Sequence, residues 1–405
     1  MYRALINKVI AALFLVWAII SPAYGDEFFY RHGAGDRYRI LSTVDEYVYV
    51  NRSLSHRAEI LNRIAVTVLE ERQGVARHQG LFQTAERSEG IQGISQSFQW
   101  AREYESVFDR DQLGYMTIDS GYYMPVVRNV PVFPARNIEV GETWTAEGHE
   151  MHDFRDSFGI QSPYRIPFTA SYAYLGSRTW RDQDYPAISV TYRIFYEPPR
   201  AQGDIWPMRI MGASDQIIYW DHSLGQARSY QETFRMVFEL SNGMTIEYRG
   251  TAESEILESQ IMNREAVAGE IQRDLDRLGV ADTTVRIVEE GVTLSLENIQ
   301  FPPDSAVLIR AEQEKLDKIA EILLRYPDRD IMVGGHTALA GTAGGRMQLS
   351  QERATVVANY LLGKGVRRPE RIITRGYGSE RPLGDNNTQE GMRINRRVEI
   401  TILEN

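Results

Sequence analysis

The pattern of hydrophobic and polar residues predicts a β-rich structure over residues 38–252. Strand-length segments rich in Tyr, Phe, Val, Ile and Thr are separated there by turn residues. In the clearest hairpin, residues 234–252, apolar and polar residues alternate on both sides of Asn242-Gly243, a pair that favours a tight two-residue turn because it accepts positive φ. Similar segments lie at residues 40–50, 60–70, 168–175 and 187–196. The region therefore indicates an antiparallel meander of about ten to twelve strands.

The apolar face of these strands has two alternative environments. In a soluble protein it lines a core, whereas in an outer-membrane barrel it faces lipid and the polar face lines the lumen. The polar connections at residues 56–59, 70–73 and 181–184 are of similar shortness. The contrast between long loops and tight turns that such a barrel shows is missing. We therefore expect residues 26–255 to form a soluble, antiparallel β-rich domain.

The pattern changes after residue 255. Apolar residues recur at near-helical spacing among charged ones, and Gly279 is a suitable helix end, so residues 256–283 are predicted to be a helical connector. Residues 284–405 then alternate, with strands at 284–288, 292–296, 331–333, 371–374 and 397–403, one helix ended by Pro327, and another at 350–362 with Ser350 as its N-cap. This order implies an α/β sandwich with its helices on one side of a mixed sheet. The predicted fold class is multidomain α+β.

The first 25 residues predict export. Arg3 and Lys8 precede an apolar run at residues 9–20, and Ala23 and Gly25 place small residues at a cleavage site before Asp26. The run is shorter than the roughly 20 residues of a spanning helix, so a cleaved signal peptide is favoured over a membrane anchor. No later segment is apolar for long enough to span a membrane. We expect a location in the periplasm or cell envelope, with outer-membrane association as an open alternative.

Composition excludes several classes of protein. The chain contains no cysteine, which excludes disulfides, cysteine-based metal sites, catalytic thiols and a lipid-modified N-terminal cysteine. It has 45 basic and 55 acidic residues, a net charge of −10, and loss of Arg3 and Lys8 with the signal peptide makes it more negative. A surface of that sign is a poor partner for nucleic acid or anionic lipid.

No pattern predicts catalysis or a cofactor. Gly-x-Ser-x-Gly, P-loop and dinucleotide fingerprints are absent from any strand–turn–helix context, so a non-enzymatic protein is expected. His149, Glu150 and His152 are metal-ligand types, but their spacing needs a helix where the surroundings predict strand and loop, so no metal site is expected. Four tryptophans are either core residues or the lining of a hydrophobic ligand pocket: Trp144, Trp180, Trp206 and Trp220.

Four blocks in the last third of the chain resemble signatures of the OmpA-like family. They are Val333-Gly334-Gly335-His336-Thr337, Leu349-Ser350-Gln351-Glu352-Arg353-Ala354, Gly376-Tyr377-Gly378 followed by Pro382 and Asn387, and Asn395-Arg396-Arg397-Val398-Glu399. They follow the family's order and spacing from Ile299 to the end. The chain is thus identified as having an OmpA-like domain at residues 284–405, a divergent one with an additional N-terminal β-rich domain.

The resemblance implies that this domain holds the peptide stem of peptidoglycan by its diaminopimelate residue. In the family, an aspartate just after Gly-His-Thr and the arginine of Leu-Ser-x-x-Arg-Ala are the main ligands, which suits a ligand that offers an ammonium and a carboxylate together. Here the arginine is Arg353, but Ala338 stands at the aspartate position, Pro302 at an earlier aspartate position, and Arg346 in place of an asparagine. The candidate ligand-binding residues are Arg353, Thr337, Ala338, Arg346 and Arg396. Either diaminopimelate binding is weak or absent, or altered contacts provide it; the alternative for Arg353 is a plain surface residue of its helix.

These observations predict a non-enzymatic structural protein of the cell envelope. Its OmpA-like module associates with peptidoglycan weakly or by altered contacts, or it serves as a scaffold for other envelope proteins. The alternative is a periplasmic carrier or binder of an apolar ligand, held by a curved sheet in residues 26–255. An enclosed, mostly apolar cavity of several hundred Å³ in that region would favour the alternative.

Overall fold

The computed structural model describes residues 25–90, 93–94, 97–199, 205–258, 262–297 and 308–404. Strands make up 52% of the structure and helices 18%. Residues 1–24 of the predicted signal peptide (residues 1–25), and Pro302, lie outside the described residues. The strands are β1 (Arg37–Val50), β2 (Ser53–Arg72), β3 (Val75–Gly90), β4 (Gly93–Ile94), β5 (Phe98–Asp111), β6 (Met116–Ile118), β7 (Val127–Arg128), β8 (Thr143–His152), β9 (Tyr164–Trp180), β10 (Gln183–Tyr196), β11 (Pro207–Asp221), β12 (Gln226–Leu240), β13 (Thr245–Glu258), β14 (Thr283–Val288), β15 (Gly291–Glu297), β16 (Ile331–Gly335), β17 (Ile372–Gly376) and β18 (Arg397–Leu403). The helices are α1 (Arg155–Phe158), α2 (Arg264–Leu278), α3 (Arg310–Leu323), α4 (Ala343–Gly363) and α5 (Gln389–Asn395), with a 3-10 turn at Pro369–Arg371.

One mixed sheet runs through both parts of the chain, which we call the β-rich region (residues 25–258) and the C-terminal region (residues 262–404). Its order is β14–β15–β18–β16–β17–β5–β3–β2–β1–β13–β12–β11–β10–β9–β8–β7, and β6 adds to the edge of β5. Of the pairings between described strands, β16–β17 and β17–β5 are parallel and the others are antiparallel.

The predicted fold class, a soluble β-rich domain joined by a helix to a separate α/β sandwich, is wrong. The structure is mostly β, and its two regions share the sheet because β5 pairs with β17 at Phe98↔Ile373 and Gln99↔Thr374. Thr374 Oγ1 also donates a hydrogen bond to the Phe98 carbonyl oxygen, at 3.1 Å. A parallel pairing between residues so far apart in the chain leaves no local pattern, so the hydrophobic periodicity could not reveal it.

The strand predictions in the β-rich region hold, with corrections at the turns. The four further predicted segments lie within β1, β2, β9 and β10, but residues 56–59 lie inside β2 rather than in a connection. In the predicted hairpin, the Leu240 amide donates to the Met244 carbonyl oxygen at 2.9 Å, so the loop has three residues and not two. Of these loop residues only Gly243 takes a positive φ, 83°, as expected for a three-residue hairpin loop with glycine in the left-handed position.

The sheet of the β-rich region curves, which gives it an inner and an outer face. Residues from strands far apart in the order, such as Ile64 of β2 and Ile218 of β11, line one cavity on the inner face. The core next to it includes Trp220, which Phe28 and Tyr30 from the N-terminal segment contact edge-on. On the outer face, Leu61 and Phe98 pack against Ile373 of the C-terminal region.

In the C-terminal region, three helices pack with the sheet around one apolar core. The predicted connector begins too early, because β13 continues to Glu258 where it pairs with Tyr38 of β1. The helix itself, α2, ends where predicted, and Gly279 takes a φ of 61° after it. The helix α4 begins seven residues before the predicted N-cap, and Thr342 caps it by accepting a hydrogen bond from the Gly345 amide. No helix in the described ranges is both long enough and apolar enough to span a membrane.

Candidate functional site

Two glycines bring α4 close to the ends of β16 and β17. A Cβ atom on Gly335 would lie 1.9 Å from the Ser350 carbonyl oxygen, and one on Gly376 would lie 2.7 Å from Ser350 Oγ. A side chain at either position would therefore displace the helix. These residues of the OmpA-like signatures serve the close packing of helix on sheet.

Hydrogen bonds from α4 hold the end of β17 and the loop that follows it, and this loop in turn binds the segment after β16. Ser350 Oγ accepts from the Gly378 amide at 2.9 Å, and Gln351 Oε1 accepts from the Gly376 amide at 2.7 Å. The Thr337 amide in turn donates to the Gly378 carbonyl oxygen at 2.8 Å. Three of the four sequence blocks therefore meet at one edge of the sheet.

The histidine of Gly-His-Thr belongs to the buried structure. His336 stacks on Tyr377 with ring centroids 4.9 Å apart, and its Nε2 lies 3.3 Å from Glu399 Oε2. Burial lowers the pKa of His336. Burial alone would raise the pKa of Glu399, but contact with His336 and Arg397 brings it down to about 2. This ionised carboxylate joins the first and last sequence blocks, away from solvent.

Thr337 and Ala338, which follow His336 after the end of β16, are buried. They are 7% and 4% exposed, whereas the next residue, Leu339, is 59% exposed. Thr337 Oγ1 has no hydrogen-bond partner among the described residues. The structure therefore has a buried methyl group at position 338, where the family resemblance leads one to expect an aspartate, next to the unsatisfied hydroxyl of Thr337.

The three candidate arginines differ in their surroundings. Arg346 Nε donates to Ser379 Oγ at 2.9 Å and its Nη1 donates to the Gly341 carbonyl oxygen at 2.6 Å, so this guanidinium ties the first turn of α4 to the loop after β17. Arg353 is half-buried about two turns further along the same helix. Arg396 is exposed after α5. Thr337 and Arg346 thus both hydrogen-bond to the loop at residues 378–379, and Arg353 lies further along α4.

The histidines near Glu150 lie on a strand, as predicted. Because β8 is extended, His149 and His152 point to opposite faces. His152 Nε2 lies 2.7 Å from Glu150 Oε2, and the Tyr192 hydroxyl donates to Glu150 Oε1 at 2.8 Å. Burial, with the nearby charges of two arginines, lowers the pKa of His149 to about 4.

Two cavities on the inner face of the β-rich region were not located from the sequence. The first, of about 310 Å³, has a mostly aliphatic and tyrosine lining that includes Tyr38, Ile40, Ile64, Ile218, Tyr230 and Ile256. The second, of about 330 Å³, is lined by aromatic rings and carboxylates. Val126, Val127 and Glu232 line both, so the cavities adjoin. None of the four tryptophans lines either of these two cavities.

Comparison with known proteins identifies the C-terminal region. Residues 300–396 match the model of the OmpA family, so this part of the chain is an OmpA-like domain, as the sequence blocks predicted. The peptidoglycan-binding protein ArfA of Mycobacterium tuberculosis is 41% identical over 104 residues, which cover 26% of this chain and 32% of that protein. Outer membrane porin F of Pseudomonas aeruginosa is 33% identical over 115 residues, which cover 28% and 33%.

A solved structure, the cell wall anchor of the T6SS from Pseudomonas aeruginosa, is 27% identical and covers 33% of this chain and 96% of its own, with a TM-score of 0.29. The chain spans about a third of the length of the two curated relatives.

Proposed function

We propose that this protein is a non-enzymatic structural component of the cell envelope, located in the periplasm. Its OmpA-like domain associates with peptidoglycan, more weakly than a relative that has the aspartate. Where wall contact is lost, the protein serves as a scaffold for other envelope proteins. The names of two relatives, a peptidoglycan-binding protein and an outer membrane porin, support the envelope assignment.

The observation that carries this proposal is an intact OmpA-like framework with alanine at the anion position. Arg353 remains on α4 and can meet a carboxylate of diaminopimelate, because a guanidinium binds a carboxylate in bidentate geometry. The buried methyl group of Ala338 offers nothing to the ligand's ammonium. The loss of such a charged contact costs roughly 1.5–3 kcal/mol, or about 10- to 150-fold in affinity.

The test is calorimetry of the mature protein with peptidoglycan fragments that contain diaminopimelate, at fixed salt because charged contacts are screened. Ala338→Asp is expected to strengthen binding, and more so together with Arg346→Asn, which removes a neighbouring positive charge. Arg353→Ala is expected to abolish the residual binding. Arg310→Ala, an exposed arginine on α3, is the matched control.

Thermal melting must accompany these measurements, because a carboxylate at the buried position 338 destabilises the fold unless a ligand cation compensates it. Equal binding by the unchanged protein and the Ala338→Asp variant, with no effect of Arg353→Ala, would show that the ligand is held elsewhere.

A second function, carriage of an apolar ligand, is supported by the two adjoining cavities. Each reaches the lower end of the volumes at which proteins hold small molecules. Both lie on the inner face of the curved sheet, where an elongated molecule would be shielded from water. Calorimetry of decanol binding to the mature protein tests this function. If the protein binds neither decanol nor its charged analogues, the carrier function is contradicted.

A further inference from the structure

The second cavity combines aromatic rings with carboxylates, and we call it the aromatic cavity. Its rings come from α1, the segment just before it, and three strands, and its carboxylates from three strands and the segment before α1. The rings are Phe154, Phe158, Tyr192, Phe234, Phe238 and Tyr248, and the carboxylates are Glu46, Glu150, Glu232 and Asp153, the last of which is paired with Arg102 and Arg155. Both features are attractive to one class of chemical group, an organic cation.

The rings form a packed wall. Phe238 lies at its centre, with Phe154 at 5.5 Å and Tyr248 at 5.9 Å between ring centroids, both nearly perpendicular to it. The face of an aromatic ring carries a partial negative charge, and it attracts alkylammonium groups that sit over it. Such a wall can contact a cationic group and the hydrocarbon chain attached to it at the same time.

The carboxylates are satisfied to different degrees. Glu150 is 6% exposed and is held by Tyr192 and His152. Glu232 accepts hydrogen bonds from Ser214 Oγ at 2.6 Å and Gln216 Nε2 at 3.3 Å. These partners hold the two carboxylate groups in place, and none of them is an arginine or lysine.

Within the part of the chain that the structure describes, Glu46 accepts no hydrogen bond from a side chain. The one arginine in the lining, Arg235, donates a hydrogen bond from its Nε to Glu247 Oε1 at 2.9 Å and is therefore already paired. Burial, together with the charge of Glu86, raises the pKa of Glu46 to about 7, and burial also raises the pKa of Glu232. Both shifts are what carboxylates show when a counter-charge is missing.

We propose that the aromatic cavity binds the cationic head of an alkylammonium amphiphile, and that its hydrocarbon chain extends past Val126 and Val127 into the adjoining aliphatic cavity. The head contacts Glu46 and Glu232 and the ring faces, and the shared lining gives the chain a continuous route. This inference rests on the proposed carrier function and specifies the class of ligand.

The experiment compares three probes of equal chain length on the full mature protein: decyltrimethylammonium, decanol and decyl sulfate, each below its micelle concentration and measured by calorimetry at pH 8. The ammonium is expected to bind at least about tenfold more tightly than decanol, the size of effect typical of a charged contact, and decyl sulfate most weakly. Glu46→Gln and Glu232→Gln are each expected to weaken the ammonium about tenfold and to leave decanol unchanged. The control is Glu253→Gln, an exposed carboxylate on β13 outside both cavities.

The outcomes separate the two claims. If none of the three probes binds, both the carrier function and this inference are overturned. If decanol or decyl sulfate binds as tightly as the ammonium, the carrier function stands and the cation specificity is overturned. If the ammonium binds most tightly but neither glutamine variant weakens it more than Glu253→Gln does, the cation is held outside the aromatic cavity and the assignment is wrong.

Discussion

Replacing Asp330 by asparagine should strongly destabilise the protein. Asp330, just before β16, is fully buried and lies between arginines of both regions of the chain. Arg63 of β2 reaches its Oδ2 at 2.9 Å, Arg39 of β1 contacts the same oxygen, and Arg371 reaches its Oδ1 at 2.8 Å. Burial opposes ionisation, but the charges of Arg63, Arg39 and Arg371 hold the pKa of Asp330 below its ordinary value.

The expected loss in the free energy of unfolding follows from the buried arginines that remain after the substitution. An asparagine at this position would keep the shape of the side chain but not its charge, so two arginines that are 3% and 5% exposed, Arg39 and Arg63, would lose their counter-charge. Removing one partner of a buried ion pair costs about 3–5 kcal/mol, a large part of the roughly 5–15 kcal/mol by which a typical domain is stable. Because these arginines belong to the β-rich region, the cost falls on the contact between the two regions.

Urea unfolding followed by tryptophan fluorescence and far-ultraviolet circular dichroism measures this cost. Trp100 is a suitable reporter because it lies at the contact, with the guanidinium of Arg375 4.5 Å from its ring centroid. The matched control is Asp215→Asn, which breaks an ion pair with Arg193 at 2.8 Å on a side chain that is 52% exposed. An exposed pair contributes only about 0–1 kcal/mol.

A free energy of unfolding for Asp330→Asn within about 1 kcal/mol of that of the unchanged protein, the range expected for an exposed pair, would contradict this prediction. The pH dependence gives a second check. Because the pKa of Asp330 is depressed in the folded state, its contribution is complete above its unfolded value of about 4 and is lost as the pH falls through the folded value. The asparagine variant should lack this loss of stability in acid.

Two other substitutions test packing and burial through the free energy of unfolding. Glu46→Gln should be about 3 kcal/mol more stable than the unchanged protein at pH 8 and equal to it at pH 4. The reason is that the pKa of the Glu46 carboxyl rises from 4.5 to about 7 on folding, so stability is lost as the pH increases between these values, at about 1.4 kcal/mol per pKa unit. A difference that does not change with pH would contradict this prediction. Gly335→Ala should cost about 1–3 kcal/mol because its methyl group meets the Ser350 carbonyl oxygen. The control Gly344→Ala, in open space on α4, should be neutral or stabilising, and equal melting temperatures for the two variants would show that α4 is free to shift.

Local pattern was sufficient where neighbours in sequence determine the structure. The strand predicted at residues 397–403 has the ends of β18, and Gly279 correctly marked the end of α2. The start of α2 was missed because Ile256, whose spacing suits a helix, pairs instead with Ile40 in the sheet. Ser350 was mistaken for an N-cap because a serine suits that position, whereas here its hydroxyl serves the loop after β17.

The candidate sites show the same difference between residues that a local motif indicates and residues that come together only in the fold. The family resemblance pointed to Thr337 and Arg346, and both hydrogen-bond to the loop at residues 378–379. The aromatic cavity could not be predicted, because it forms only when the curved sheet brings Glu46 of β1 close to Glu232 of β12. Asp330 was overlooked for the same reason, since its partner Arg39 lies 291 residues away in the chain and carries no local signal.

The pairing of β5 with β17 cannot form until most of the chain has been synthesised. Synthesis proceeds from the N terminus, so Phe98 and its strand exist long before Ile373 does. During that interval the free edge of β5 and the apolar side chains of Leu61 and Phe98 have no partner from the C-terminal region. Unpaired edges and exposed apolar patches recruit other chains, so a nascent or truncated polypeptide ending before residue 372 is an aggregation hazard that a chaperone has to cover. The OmpA-like domain, which is synthesised last, thus covers a strand edge and apolar side chains of the region that is synthesised first.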